Sequence, residues 1–384
     1  MRMTISFIIP LFKGNEFLSK ILENIELVSQ YIKNKASYNI ELVLVNDYPS
    51  CTVDETEKAT FTYIDNIIVH NNEKNVGIHA SRIKGLDLSS GEYICFLDQD
   101  DHINETFGWE MILKALETNA DVVLCNGIYR DNRKIYNNTD EIDTAISNKY
   151  FNSLTSIISP GQALIKRSVI PVEWKKNILK ENYCDDAFLW CLLKNRDAKF
   201  EFVDEVLYFH NEDGKNQSFH WNSNAKALEE LKMVISTKKL LHKDNMTAFM
   251  PTISNEIAKQ KYYARMEELL NYYRQNFEEF EFLLNQTCRD FLVVYGLGII
   301  GKAFVDLVKQ TDIKNIVAMD NNVKYYAGIK TYSLGEIDEF KKVVQVQKCC
   351  VCVTVGNGYE QIRESLLEQG FKKIYSLQEI LISE

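Results

Sequence analysis

No stretch of this 384-residue chain comes near the ~20 consecutive apolar residues that a membrane-crossing helix needs, which excludes a helical bilayer span. The pattern of a secretory leader is missing too. Ile5 to Phe12 is short, broken by Pro10 and followed by no small-residue cleavage site, so a cytoplasmic location is expected. There is no excess of positive charge. Lys and Arg number 44 against 54 Asp and Glu, a net charge of −10, which argues against nucleic acid as a partner of the whole surface. Nine cysteines and six histidines occur, yet no Cys/His spacing suggests zinc. The cysteines are scattered through apolar runs such as Cys349-Cys350-Val351-Cys352-Val353. They read as reduced, buried thiols of a reducing compartment. What the chain does have is apolar content, 46%, and length enough for about two domains.

The most telling segment is Glu92-Tyr93-Ile94-Cys95-Phe96-Leu97 followed by Asp98-Gln99-Asp100-Asp101. The apolar run predicts a buried strand. Three carboxylates at its tip exceed what a sheet needs for its own stability, although a solvated acidic turn would also carry them. Hard oxygen ligands of this kind suit Mg2+ or Mn2+ holding a diphosphate. Two further apolar runs precede it. Ile5-Ser6-Phe7-Ile8-Ile9 is stopped by Pro10, and Ile40 to Val45 ends in Asn46-Asp47. Between them and the acidic tip, Asn75-Val76-Gly77-Ile78-His79-Ala80-Ser81-Arg82 reads as a loop entering a helix. The order is α/β, and in such sheets ligands sit at the carboxyl ends of the strands.

Over roughly the first 220 residues, this order and spacing resemble the family-2 inverting glycosyltransferases of the GT-A fold, a Rossmann-like mixed sheet. The resemblance implies a role for each matching position. Pro10 and Leu11 lie on the base side of a nucleotide donor, Asp47 contacts a uracil and Arg82 lies near the nucleotide. Asp98 takes the ribose-side carboxylate with Gln99 as its spacer, and Asp100 is the metal ligand. Asp101 is left a structural role. Asn46 stands where the family has a first Asp, and Ser81 and Ile83 where it has Ala and Asn.

An inverting transfer needs a general base for the acceptor hydroxyl. Glu181-Asn182-Tyr183-Cys184-Asp185-Asp186 opens a predicted helix running to Leu193, and acids in a first helical turn are favoured by the helix dipole in any case. The resemblance places a Glu-Asp pair here, which makes Asp186 the base, Asp185 its orienting partner or a contact to the acceptor, and Glu181 an alternative. Val203 to Phe209 predicts a strand ending in His210. By the resemblance His210 is a candidate metal ligand and Lys215, in the loop that follows, a candidate phosphate contact. Gly161 to Ser168 is either a strand beside the acceptor or a core strand ending in a basic turn.

After residue 220 the pattern turns helical, over Ala225 to Leu241 and Ile253 to Leu284. Tyr262, Tyr263, Met266, Leu269, Leu270 and Tyr273 fall on one broad face that predicts packing either between domains or between subunits, the second of which would give a homo-oligomer through this region. Phe291 to Tyr295 then reads as a strand, followed by Gly296-Leu297-Gly298-Ile299-Ile300-Gly301, a helix through Val308, and a second strand ending in Asp320. Strand, glycine turn, helix, strand and acid make the dinucleotide-binding fingerprint in its proper context. It resembles the nucleotide-binding modules of polysaccharide enzymes, in a short form with no room for a separate substrate region. Tyr326 and Lys330 have a dehydrogenase-like spacing at the wrong place in the chain, and we read it as chance.

The expected architecture is therefore α/β throughout. A GT-A domain occupies 1–220, a helical linker or packing region 221–287, and a small Rossmann-like α/β domain 288–384. The expected function is metal-dependent, inverting transfer of a sugar from a nucleotide-diphosphate donor, UDP-linked if Asp47 reads the base, to a glycan or lipid-linked acceptor in cell-surface polysaccharide or glycoconjugate synthesis. A lipid-linked acceptor would bring the chain to the inner face of the membrane. No Gln-x-x-Arg-Trp sequence occurs, and within the family that sequence marks processive polymerases. Two other readings stay open. One is an NAD(P)-dependent sugar-nucleotide oxidoreductase built on Gly296, Gly298, Gly301 and Asp320. The other is a non-catalytic assembly subunit.

Overall fold

The computed structural model describes residues 2–53, 61–211, 220–288, 291–313, 315–356 and 358–382. Lys215 lies outside the described residues. The chain divides into two compact units, Met1–Ile257 and Ala258–Glu384.

The strands of the first unit are β1 (Thr4–Leu11), β2 (Asn39–Asn46), β3 (Asn66–Asn71), β4 (Tyr93–Phe96), β5 (His102–Ile103), β6 (Val122–Tyr129), β7 (Ala163–Lys166) and β8 (Phe200–His210). They form one mixed sheet in the order β3-β2-β1-β4-β7-β6-β8-β5. The first four are parallel, and β7 enters antiparallel between β4 and β6. The helices are α1 (Leu18–Lys35), α2 (Ile78–Leu88), α3 (Phe107–Thr118), α4 (Thr139–Ile146), α5 (Val172–Lys176), α6 (Asp185–Lys194), α7 (Trp221–Lys238) and α8 (Lys243–Gln275). Each face of the sheet is covered by its own buried apolar cluster, the layering expected of strands that read as continuous apolar runs.

Pro10 does not end its strand as the sequence suggested. β1 continues to Leu11 and pairs with β2 through Pro10, whereas its pairing with β4 stops at Ile8. At Pro10 the strand has a neighbour on one side only, the edge-like setting in which a missing N–H is tolerated. Gly85 seats α2 on this part of the sheet. A Cβ there would stand 2.3 Å from the Ile8 side chain. That close approach fixes the helix that carries Arg82.

The helical stretch does not stand apart. α7 and the start of α8 contribute Leu228, Leu231, Ile235, Phe249 and Ile253 to the core of the first unit. The later part of α8 belongs to the second unit, and its Met266, Leu270 and Tyr273 are buried in that unit's own core. The aromatic face read from the sequence is thus used within the chain.

The second unit continues with α9 (Phe277–Thr287), β9 (Leu292–Tyr295), α10 (Ile299–Val308), β10 (Ile316–Met319), β11 (Tyr325–Tyr326), β12 (Ile329–Tyr332), α11 (Ile337–Val343), β13 (Cys350–Val353), α12 (Tyr359–Glu368), β14 (Lys373–Ser376) and α13 (Leu377–Leu381). The sheet order is β11-β12-β10-β9-β13-β14, all parallel but for the β11–β12 hairpin. The order reverses at β9, the doubly wound arrangement. One expectation is corrected here. Cys288 and Cys350, both buried, are brought within 5.4 Å between Cα atoms and form a disulfide. Among the described residues, no helix is long and apolar enough to cross a membrane.

Candidate active site

The carboxyl ends of β1, β2 and β4 open into a cavity of about 530 Å³ in the first unit. Pro10, Leu11, Asp47, Arg82, Asp98, Gln99, Asp100, Asp185, Asp186 and His210 all line it. The structure thus gathers ten of the first-unit residues singled out for donor, metal or catalysis. Glu181 is absent from the described lining, and its backbone N–H donates to the Glu230 carboxylate.

Two buried charges hold the site together. Arg82, on α2, donates to Asp98 Oδ1 at 2.5 Å and to Asp185 Oδ2 at 2.6 Å. Its side chain is 4% exposed, that of Asp185 3% and that of Asp98 30%. The guanidinium therefore bridges the acidic strand tip to the first turn of α6. A planar fork with several fixed donors can do this where an ammonium cannot. Both carboxylates raise the Arg82 pKa against its burial. The Trp174 indole N–H donates to the Asp185 carbonyl at 2.7 Å, anchoring the start of α6 from below. Two residues before α6, Tyr183 adopts φ +132°, a costly conformation for a non-glycine residue.

Asp186 is half-buried at the cavity wall and accepts from the Ala187 N–H at 2.7 Å. Burial first, then the charge of Asp185, pushes its carboxyl up to about 7, against the pull of Arg82. That value suits a general base near neutral pH.

The acidic tip divides its work. Asp98 is raised above the usual carboxylate range, by burial before all else. Asp101 is 6% exposed and accepts from the Tyr208 hydroxyl and, at 2.8 Å, from the Asn211 N–H, tying the end of β8 to the tip. His210 Nδ1 shares the Tyr208 hydroxyl at 2.9 Å and stands 3.4 Å from Asp101. Asp100 is pushed up to about 7, by burial and then by the charges of Asp101 and Asp98.

Among the described residues, no group of three or more His, Cys, Asp or Glu closes into a metal cage. The residues present do fit a hard divalent cation of the kind held by one or two carboxylates plus substrate phosphates. Asp100 carries negative charge that its neighbours repel, and a cation would relieve that repulsion.

Asp47 and Gln99 shape the donor side. Asp47 Oδ1 accepts from Asn72 Nδ2 and the Val76 N–H, and Oδ2 from the Gly77 N–H, all within 2.9 Å. Gly77, at φ +88°, turns the chain into α2 there. A carboxylate oxygen has about two acceptor positions, so Oδ2 keeps one for a further donor. Gln99 is more than a spacer. It accepts from the Phe12 N–H at 2.9 Å and donates to the Phe12 carbonyl at 3.1 Å, pinning the loop after β1.

The sequence missed the opposite wall. Leu154, Ile157, Ser159 and Tyr183 line it, as do Leu228 of α7 and Glu256 of α8. The 154–159 segment has no periodicity to read, and the two helical residues look like packing positions. Ala163 to Ile165, the strand left between acceptor and core, is fully buried in β7, with Arg167 donating to the Gly91 and Leu86 carbonyls.

In the second unit Gly296, Gly298, Gly301 and Asp320 do meet at the β9–α10 turn. Asp320 closes that turn itself, accepting from the N–H groups of Leu297 (2.6 Å), Asn322 (2.8 Å) and Val323 (3.0 Å). Tyr326 donates to Asp306, and the Lys330 ammonium lies over the Tyr332 ring.

Residues 6–172 match the family model Glycosyl transferase family 2. This segment holds most of β1, all of β2, β3 and β4, Arg82 and the acidic tip, and it stops before Asp185. Among curated proteins, Glycosyltransferase GlyA of Streptococcus pneumoniae is 33% identical over 122 residues, covering 32% of this chain and 16% of GlyA. The cholesterol galactosyltransferase of Borreliella burgdorferi is 32% identical over 127 residues, 33% of this chain and 32% of that protein. The minor teichoic acid biosynthesis protein GgaB of Bacillus subtilis is 29% identical over 229 residues, 55% of this chain and 23% of GgaB. The chain thus spans a third or less of the length of these three relatives. A solved structure of S. aureus TarS, residues 1–349, aligns with a TM-score of 0.47 at 16% identity, over 68% of this chain and 72% of that one.

Proposed function

We propose that this chain is an inverting glycosyltransferase that moves a sugar from a nucleoside-diphosphate donor, UDP-linked by the reading of Asp47, to a hydroxyl of a saccharide or lipid-linked acceptor. The carrying observation is the Asp98–Arg82–Asp185 bridge, which joins the acidic strand tip to the α6 turn in one cavity with Asp186 at its wall. The family-2 match over the first half of the site supports the reaction class. A relative named for teichoic acid biosynthesis supports a role in cell-surface glycan synthesis.

In this reading the donor's base lies between Pro10, Leu11 and Asp47, whose remaining acceptor position takes an imide N–H. Gln99 holds the Phe12 loop against the donor, and Asp98 faces the ribose. Asp100, with His210 beside it, would hold Mg2+ or Mn2+, and the ion when bound neutralises charge on the leaving diphosphate. Asp186 takes the proton of the acceptor hydroxyl as that oxygen bonds to the anomeric carbon. The carbon–oxygen bond to the diphosphate breaks, and the diphosphate leaves with the electron pair. Attack from the far side inverts the anomeric centre. Asp185, held by Arg82, orients its neighbour.

For the second unit we propose a structural role, in which Asp320 ties the glycine turn to the loop after β10 by accepting from the N–H groups of Leu297, Asn322 and Val323.

The test is a panel of UDP-sugars and other nucleotide sugars with Mn2+, scored by donor hydrolysis and binding. Turnover of one UDP-sugar above the others is expected. No binding and no hydrolysis across the panel would overturn the reading.

A further inference from the structure

The turn between α7 and α8 carries net positive charge in a chain that is acidic as a whole. Thr237-Lys238-Lys239-Leu240-Leu241-His242-Lys243-Asp244 crosses it, and Lys238, Lys239, His242 and Lys243 are exposed, against the single acid Asp244. Met233, five residues before Lys238 on α7, is 58% exposed. A shallow groove of about 500 Å³ at the turn is lined by Leu241, Met246, Thr247 and Met250, with Lys239 and Lys243 among its wall residues. The tip is held in shape. Asn195, at the end of α6, accepts from the His242 N–H at 2.7 Å and from Asn245 Nδ2 at 3.0 Å, and donates to the Leu240 carbonyl at 3.2 Å.

We propose that this tip docks on an anionic lipid surface. Charge selects the partner, since three lysines project within six residues from a chain whose net charge is −10. The apolar groove selects a bilayer over a soluble polyanion. Long lysine stems can lie along apolar surface with their ammonium groups among lipid phosphates, and flexible methionines accommodate acyl chains. A basic cluster and an apolar element together supply the two signals that stable peripheral binding needs. The placement also suits the proposed reaction. Leu228 lines the active-site cavity ten residues before Lys238, Glu256 thirteen residues after Lys243, and Asp185 ten residues before Asn195. At a rise of 1.5 Å per helical residue, three helices run from the cavity to the tip over about 15 to 20 Å. An acceptor anchored in the same bilayer would meet the cavity from a fixed height. The docking itself does not depend on the proposed reaction.

The experiment is flotation of the full chain with vesicles of equimolar phosphatidylglycerol and phosphatidylcholine, against phosphatidylcholine alone, with the triple variant Lys238→Gln/Lys239→Gln/Lys243→Gln beside the native sequence. Each lysine near an anionic surface is worth about fivefold in partitioning, so the triple variant should bind roughly a hundredfold more weakly. Added salt should weaken the native binding as well. An unchanged thermal melt and unchanged donor hydrolysis of the variant would show that these exposed positions affect docking alone. The proposal is overturned by equal flotation with both vesicle types, by equal flotation of the variant, or by no flotation at all. Self-association without vesicles, lost in the variant, would assign the tip to a second copy of the chain and overturn it too.

Discussion

Replacing Arg82 by methionine should destabilise the first unit in a way that depends on pH. Methionine keeps much of the buried length and removes the charge that pairs Asp98 and Asp185. The Asp185 pair is fully buried, and removing one partner of such a pair costs about 3–5 kcal/mol, because the remaining charge is left unpaired. The Asp98 pair is partly open to solvent and adds less. For a unit of this size the loss corresponds to a fall in melting temperature of roughly 6 to 20 °C. The sign with pH follows from linkage. Burial already holds Asp98 and Asp186 above the ordinary carboxylate range, and loss of the guanidinium raises both further. Between the unfolded value and the raised folded value, the folded state binds more protons than the unfolded one. Stability therefore falls as pH rises through that window. The penalty should therefore be larger near pH ~8 than near pH ~5. Trp109, Trp174, Trp190 and Trp221 all lie in the first unit, so tryptophan fluorescence during a thermal scan reads that unit alone. Adding Asp185→Asn to Arg82→Met should recover part of the loss, since the two positions share one interaction. A fall under about 2 °C near pH 8, or a fall of the same size at both pH values, would refute the bridge as the element that holds the site.

Other outcomes follow from single contacts. With a soluble acceptor, kcat should fall as pH drops through about 7, where Asp186 takes up the proton that it must lack to act as base. A flat profile between mildly acidic and mildly basic pH would contradict that role. Gly301→Ala should lower the melting of the second unit, because its Cβ would stand 1.9 Å from the Gly296 carbonyl oxygen, whereas Gly298→Ala meets nothing within 4 Å and should melt as the native chain does. Far-UV circular dichroism, compared with the tryptophan signal, separates the two transitions. Gln99→Ala removes both hydrogen bonds to Phe12 and should raise the donor KM on the order of tenfold with kcat little changed.

The strand tips were legible because each apolar run ended abruptly in polar residues. Asp47, Asp98 and Asp100 could be located at strand ends from that, while their roles came from the family resemblance, and the strand–turn–helix pattern around Gly296 was equally plain. Pairings across long separations were not. Nothing local says that Arg82 reaches Asp185, 103 positions away, or that Gln99 spends its amide on the backbone of Phe12. The helical stretch was legible as helix but not as two allegiances, since buried apolar positions of α8 look alike whichever core they enter. Leu228 and Glu256 escaped for the same reason. Periodicity shows that a face is buried or exposed, and gives no sign that a cavity lies beside it. The Cys288–Cys350 pair was hidden because a buried cysteine in an apolar run reads the same with or without a partner.

The most direct measurement compares the native chain with Asp186→Asn, using the donor found by the nucleotide-sugar panel. Calorimetry reads donor binding, and product formation reads transfer. If Asp186 is the base in this cavity, donor affinity stays within a few-fold while transfer falls by about 10²- to 10⁴-fold. Native-level transfer by the Asp186→Asn protein would contradict the account.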